Sequence, residues 1–167
     1  MAGAGLLFLR ADAIAARKKA GSVIETGVCT SFANNKLLTE AGFTYIEESV
    51  QSFLEPFNEE EAFIKKLGQI KSEGIIIPAC NSFLPGKLKS VGNDAVHDEI
   101  LRYAETAFRR AEMAGIRIIV FGSSGSRSIP EGFSREKARK QFLDLCGMMG
   151  PLARRYKVTV VLEPLNS

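Results

Sequence analysis

The chain has 167 residues, 46% of them hydrophobic and 25% charged, the make-up of one soluble globular domain and not of a disordered or collagen-like polymer. Lys+Arg 22 against Asp+Glu 19 leave a net charge of +3 without a basic cluster, so nucleic acid and anionic membrane surfaces make poor partners. No apolar run approaches the roughly 18 to 20 residues that span a bilayer, and Cys29, Cys80 and Cys146 lack C-x-x-C spacing, so they read as small buried hydrophobes and not as a disulfide framework or zinc cage.

Residues 1–20, MAGAGLLFLRADAIAARKKA, run from a short apolar stretch, Ala2 to Leu9, into Ala-rich sequence ending in Ala13, Ile14, Ala15 and Ala16. This is the order of a secretory apolar region with an A-x-A-like cleavage site, but the basic segment that should precede it is missing. Two readings stay open for this leader. It is the distal part of an export signal whose basic beginning lies upstream, which places the protein in the periplasm, or it is a short amphipathic helix packed under a cytoplasmic domain.

From Ile24 onward, short β-rich apolar runs alternate with longer stretches of helical period, the pattern of βαβ units and a parallel sheet. The first strand is expected over Ile24 to Cys29, with Ser31 as N-cap of a short helix through Glu40 that Gly42 closes. The second strand is Phe43 to Ser49. Asn58 should cap a helix carrying Phe63, Ile64, Leu67 and Ile70, ended by Gly74. The third strand, Ile75 to Ala79, is solidly aliphatic, as in a strand covered on both faces.

Asp94 should start the most regular helix, whose apolar face holds Ile100, Leu101, Ala104, Phe108, Ala111 and Ala114 before Gly115 stops it. Strand four follows as Ile116 to Phe121. Ser134 caps a last helix with Phe142, Leu145, Met148, Met149 and Leu152, and Pro151 should break or kink it near its end. Strand five is Val158 to Leu162. The count is four βα units plus a fifth parallel strand. A five-stranded doubly wound sheet would be complete at this length, whereas a (β/α)8 barrel needs about 250 residues and would be cut just past halfway. No G-x-G-x-x-G follows strand one, where the sequence reads Gly27-Val28-Cys29-Thr30-Ser31, which lowers the nucleotide-binding reading.

Ligands of parallel α/β folds sit at the carboxyl ends of the strands, and those ends are polar here. Thr30 and Ser31 follow strand one, Glu47, Glu48 and Ser49 close strand two, Asn81 and Ser82 follow strand three, Gly122, Ser123 and Ser124 follow strand four, and Glu163 and Asn166 follow strand five. Glu163 weighs most: a carboxylate directly after an aliphatic run is costly unless it binds a cation, exchanges protons or bonds to loop amides. Glu47 and Glu48 point to opposite faces of their strand, so only one faces inward and the other is solvated or paired to a helix. The Gly- and Ser-rich loop Phe121 to Phe133, with Arg127, could hold a phosphate or a cluster of sugar hydroxyls, although a mobile loop would have the same composition. His97 stands alone in a first helical turn and reads as a packing residue. The serines have neither a G-x-S-x-G elbow nor a histidine partner, which disfavours nucleophilic hydrolysis.

Three stretches together, GFTYIEES (Gly42 to Ser49), IIVFGSSGSRSIPEGF (Ile118 to Phe133) and VVLEPLN (Val160 to Asn166), resemble the sugar phosphate isomerase/epimerase family, the xylose-isomerase-like TIM barrels that also include endonuclease IV. The resemblance covers about residues 22 to 167, in register with the first five strands, and implies residues 21–167 as the first half of a (β/α)8 barrel behind the leader. It implies Glu163 as a divalent-metal ligand and proton-transfer group, with Mn2+ or Mg2+ as the cofactor and Zn2+ also open. The implied chemistry is proton abstraction next to a carbonyl through an enediolate on a small sugar or sugar derivative, with lyases and dehydratases as variants. Glu47, Asn81, Ser123, Arg127 and Asn166 are the candidate substrate contacts.

The sequence departs from that pattern in two ways. The ligands that such enzymes draw from strands six to eight are absent, and Asn81-Ser82 and Gly122-Ser123 stand where the endonuclease branch has zinc-binding histidines, which argues against DNA repair. One carboxylate cannot hold Mn2+ or Mg2+ against water. The expectation is therefore a truncated gene or partial reading frame, inactive by itself, with an open strand edge that invites pairing with another copy. The competing reading is a complete, non-catalytic five-stranded binding module.

Overall fold

The computed structural model describes residues 24–164; the leader reading and Asn166 lie outside them. No helix among the described residues is long and apolar enough to cross a membrane.

Five parallel strands form one sheet: β1 (Gly27–Cys29), β2 (Tyr45–Ser49), β3 (Ala79–Asn81), β4 (Ile118–Phe121) and β5 (Thr159–Leu162), in the spatial order β1-β2-β3-β4-β5. That order decides between the two closures left open by the local pattern, in favour of the barrel that the resemblance implies. A doubly wound sheet starts in its middle and reverses direction once, so its helices cover both faces. Here each strand is added to the same edge, and right-handed crossovers then put every helix on one side. The opposite side is the concave face of a barrel sector.

Each strand begins later than its apolar run. The run Ile75 to Ala79 is the clearest case, because Pro78 has no amide hydrogen and the ladder with β4 begins only at Ala79↔Ile118. Ile76 is 59% exposed, so the two-sided cover expected of this run is not met among the described residues. The helices are α1 (Asn35–Glu40), behind a 3-10 turn over Phe32–Asn34, then α2 (Glu60–Glu73), α3 (His97–Ala114), the single turn α4 (Ser124–Arg127) and α5 (Arg135–Arg155).

Ser31 and Ser134 cap as expected, accepting from the amides of Ala33 and Lys137, and Gly74 and Gly115 end their helices in left-handed conformations with φ of 68° and 78°. Two other starts move. α2 is preceded by Glu59 and not capped by Asn58, whose carbonyl instead accepts from Arg110 Nη2 at 2.7 Å. α3 starts at His97 and not at Asp94, because residues 82–96 form a loop that packs against its neighbour after β4. The helix α5 runs on through Pro151 to Arg155. Leu145, Met149 and Ala153 are buried on both sides of the proline, and that packed stripe outweighs one lost backbone hydrogen bond.

The core lies between the sheet and the helices. Phe63, Leu67 and Ile70 of α2 face inward while Ile64 does not, and Met148 of α5 is likewise exposed. Phe83 sits at the centre, 5.7 Å from Phe108 and 5.3 Å from Phe121 between ring centroids. Each such buried side chain contributes about 1.5–3 kcal/mol. Among the described residues, two charged ones, Glu48 and Arg110, are buried on this side of the sheet. Arg110 is 2% exposed and donates to the carbonyls of Leu54, Glu55 and Asn58 and to Glu60, tying the π-helical turn Val50–Leu54 and the start of α2 to α3.

Candidate functional site

Side chains alternate across a strand, and the register carries that alternation from one strand to the next. Cys29 pairs with Glu47, Ser49 with Asn81 and Val120 with Val161, so these residues share the concave face. Gly122 and Glu163, each two residues beyond Val120 and Val161, continue it. At the carboxyl ends of the strands this face forms a cavity of about 590 Å³ lined by Cys29, Glu47, Gln51, Asn81, Ser123 and Glu163, among others. A larger cavity of about 650 Å³ surrounds Gly42, Phe43 and Ile75 near the starts of the strands, away from the polar strand ends where ligands of this architecture bind.

Four of the six candidate residues, Glu47, Asn81, Ser123 and Glu163, therefore meet in one cavity. Of the two adjacent glutamates, Glu47 faces the cavity. Glu48 is 3% exposed and turns toward the helices, where it accepts from the amides of Phe32 at 2.5 Å and Ser49 at 2.9 Å. It caps the 3-10 turn after β1, which is the helix pairing that the alternation left open for one of the pair.

Arg127 does not line the cavity. Its Nη1 donates to the carbonyls of Phe121 (3.1 Å), Gly122 (3.0 Å) and Glu163 (2.8 Å), behind the strand ends. His97 is a packing residue, with Nε2 2.8 Å from the Ser90 carbonyl. Thr30 and Ser31 serve local turns: Thr30 Oγ1 accepts from Asn34 Nδ2 at 2.9 Å. The strand-one residue that reaches the cavity is Cys29, which is exposed and 2.7 Å from Asn81 Nδ2. The reading of all three cysteines as buried holds only for Cys80; Cys146 is half-buried. Burial, with the charges of Glu48 and Glu47 added, pushes the Cys80 thiol far up, so it stays protonated behind the site. Gln51 was missed as well, because the π-helical turn that presents it has no sequence signature. Its Nε2 donates to Ser82 O at 2.8 Å.

The walls of the cavity are rigidly built. The Gly- and Ser-rich stretch Phe121 to Phe133, for which a ligand-holding loop and a mobile loop share one composition, contains α4 and is tied to the loop after β3. Ser123 Oγ accepts from Leu84 N at 2.9 Å, the amide and hydroxyl of Ser90 both donate to Ser126 O, and Ser126 Oγ donates to Leu88 O. Ser90 and Ser126 are fully buried. Ser123, held by the bond from Leu84 N, and Ser82, whose carbonyl accepts from Gln51, stand in the left-handed region with φ of 46° and 50°, at a cost of about 1–3 kcal/mol each. The Glu163 carboxylate lies against the backbone of Gly122, where any Cβ would collide with Oε2.

Glu163 and Glu47 are oxygen donors suited to a hard divalent cation. Among the described residues, however, no three His, Cys, Asp or Glu side chains converge to hold a metal ion. The donor set expected around Glu163 is thus not completed by them.

A family model described as xylose isomerase-like TIM barrel matches residues 36–167. The chain belongs to that family. Among solved structures it is similar to a D-psicose 3-epimerase crystallised with D-fructose, with a TM-score of 0.68 and 14% identity over 86% of this chain and 53% of that one. It is similar to the 3-keto-D-glucoside 4-epimerase YcjR of E. coli, with a TM-score of 0.62 and 16% identity over 87% of this chain and 57% of that one. The mannonate dehydratase of Streptococcus suis serotype 2 has a TM-score of 0.58 at 13% identity, covering 86% of this chain and 53% of that one. These likenesses show the fold, and the chain spans about half the length of the structures it matches. Among curated proteins no sequence matches.

Proposed function

We propose that the protein carrying this sequence is an isomerase or epimerase of a small sugar or sugar derivative, with Glu163 as the proton-transfer group. The observation that carries the reading is the meeting of the Glu163 and Glu47 carboxylates with Asn81 and Ser123 in one cavity at the carboxyl ends of the strands, on a scaffold that sugar epimerases share. In this reading the Glu163 carboxylate takes a proton from the carbon next to a carbonyl and the electron pair moves onto the carbonyl oxygen. Return of that proton by Glu163 to the neighbouring carbon on the same side, with the hydroxyl proton passing to the former carbonyl oxygen, gives an isomer. An epimer needs a second acid on the opposite face, outside the described residues, to deliver a different proton to the original carbon while Glu163 keeps the first. Glu47, Asn81 and Ser123 are assigned to sugar hydroxyls, which they can bond as acceptor, amide and hydroxyl. A divalent cation bound at Glu163, Mn2+ or Mg2+, would supply charge stabilisation for the developing oxyanion. The described residues do not complete its ligand set.

The test is proton exchange. The intact gene product is incubated with D-fructose in D2O and deuterium entry beside the carbonyl is followed by NMR. Exchange is expected, and Glu163→Gln should lower it by about 10²–10⁴-fold with an unchanged melting temperature. Retained exchange in Glu163→Gln would remove this residue from the mechanism. A second reading, dehydration following the same proton removal, is supported by the mannonate dehydratase likeness. It predicts water loss from a sugar acid such as D-mannonate in place of epimer formation.

A further inference from the structure

Resting on the reading of Glu163 as the proton-transfer group, we propose that Arg127 is the positioning residue for that carboxylate and not a contact for substrate. The β4–β5 ladder ends at Phe121↔Leu162. Among the described residues, the only ladder-like bond beyond it is a long one, from Glu163 N to Phe121 O at 3.3 Å. Arg127 supplies what the ladder no longer does, since a single nitrogen, Nη1, ties the carbonyl of Glu163 to those of Phe121 and Gly122 across the gap between the two strands. The bond goes to the main-chain oxygen of Glu163, so it sets where the residue stands without neutralising its side chain.

The guanidinium is itself held. Its carbon lies 5.7 Å from the Phe121 ring centroid and 5.2 Å from that of Phe142, a cation–π seat between the sheet and α5 that suits a planar group. Arg127 is also the last residue of α4, with its amide bonded to Ser123 O at 3.1 Å, and the preceding Ser126 is the fully buried knot between the two loops. The chain of support runs from the loop after β3 through Ser126 to Arg127 and on to Glu163. From the other side, the bare Cα of Gly122 leaves the space that the carboxylate occupies. Placement of a reacting group by such supports governs rate, because a shift near 1 Å can cost about 100-fold.

The experiment uses the intact gene product, with D-fructose exchange in D2O as the activity probe. Arg127→Ala is expected to lower kcat by about 10- to 100-fold with KM within about twofold, the signature of a lost transition-state effect. Arg127→Lys should recover part of it, since an ammonium can donate to the same carbonyls. In a Glu163→Gln background Arg127→Ala should add no further loss, as two parts of one device are not additive. A raised KM at unchanged kcat, or a full additional loss on top of Glu163→Gln, would overturn the assignment. A substrate-free readout accompanies these. Amide hydrogen exchange at Glu163 should quicken by at least about tenfold in Arg127→Ala while Ile119 in mid-strand keeps its protection, and unaltered exchange at Glu163 defeats the clamp. If Arg127→Ala does not fold, Arg127→Lys carries both readouts, with a smaller kcat loss at unchanged KM expected and wild-type values in both contradicting it. The two failures separate cleanly: turnover surviving in Glu163→Gln sinks the functional reading, whereas loss in Glu163→Gln beside a normal Arg127→Ala sinks only the clamp.

Discussion

The two faces of the same five strands have opposite characters. On the helix side, Ile46, Cys80, Ile119 and Phe121 are buried, and even the carboxylate among them, Glu48, is spent on backbone amides. On the concave side, Glu47, Asn81 and Glu163 stand open at the strand ends, with Ile118 and Val161 exposed nearer the strand starts and middle. Neighbouring residues of one strand thus divide into those that hold the fold and those that face the open cavity. Glu47 and Glu48 are the sharpest instance, identical side chains one residue apart with opposite duties.

The largest effect that would sharpen this contrast is on the helix side. Phe83→Ala should cost about 3–5 kcal/mol in denaturant unfolding, because the ring is fully enclosed among Phe108, Phe121 and Tyr103. A loss below about 1 kcal/mol, the range of surface changes, would contradict a close-packed core there. On the concave side Gly122→Ala should leave stability nearly unchanged while lowering D-fructose exchange by roughly tenfold, since the new methyl displaces the Glu163 carboxylate. Equal activity in Gly122→Ala would mean that the carboxylate position does not matter.

Next in size comes the glutamate pair. Glu48→Gln should destabilise by about 1–3 kcal/mol through its charge-assisted bonds to amides, whereas Glu47→Gln should stay within about 0.5 kcal/mol of the parent and affect turnover instead. Thermal melts of both variants check this, and a reversal would exchange the roles assigned to the two faces.

The smallest effect concerns Glu60, whose bidentate hydrogen bond to Arg109, with the charges of Arg109 and Arg110, holds its carboxyl down at about 2 against partial burial. A depressed carboxylate contributes stability that is complete above its ordinary value of 4.5 and is lost as pH falls toward 2. The side chain is 40% exposed, so solvent screening keeps the contribution under about 1 kcal/mol. Glu60→Gln should accordingly melt slightly below the parent at pH 6 and level with it near pH 2. A gap that persists at pH 2 would rule out the ion pair as its source.

Much of this was legible in the residues alone. The alternation of aliphatic runs with helical periods located all five strands and the four main helices, because burying an apolar stripe is a local demand on sequence. Strand-end position singled out Glu163, Glu47, Asn81 and Ser123, since in parallel sheets the chain leaves the core at the carboxyl end whatever closes the sheet. The closure was not legible in the local pattern, because doubly wound and barrel arrangements use the same local units; the resemblance of three stretches implied the barrel, and the spatial order of strands bears it out. The role of Arg127 was equally hidden. Its three carbonyl partners come from two strands, and one of them is 36 residues away, so no local pattern records the contact. The buried bonds of Ser90, Ser126 and Arg110 likewise join residues far apart in the chain. Short-range periodicity is set by backbone geometry and is written in the sequence, whereas which polar group meets which depends on how the strands stack, and that only the tertiary structure decided.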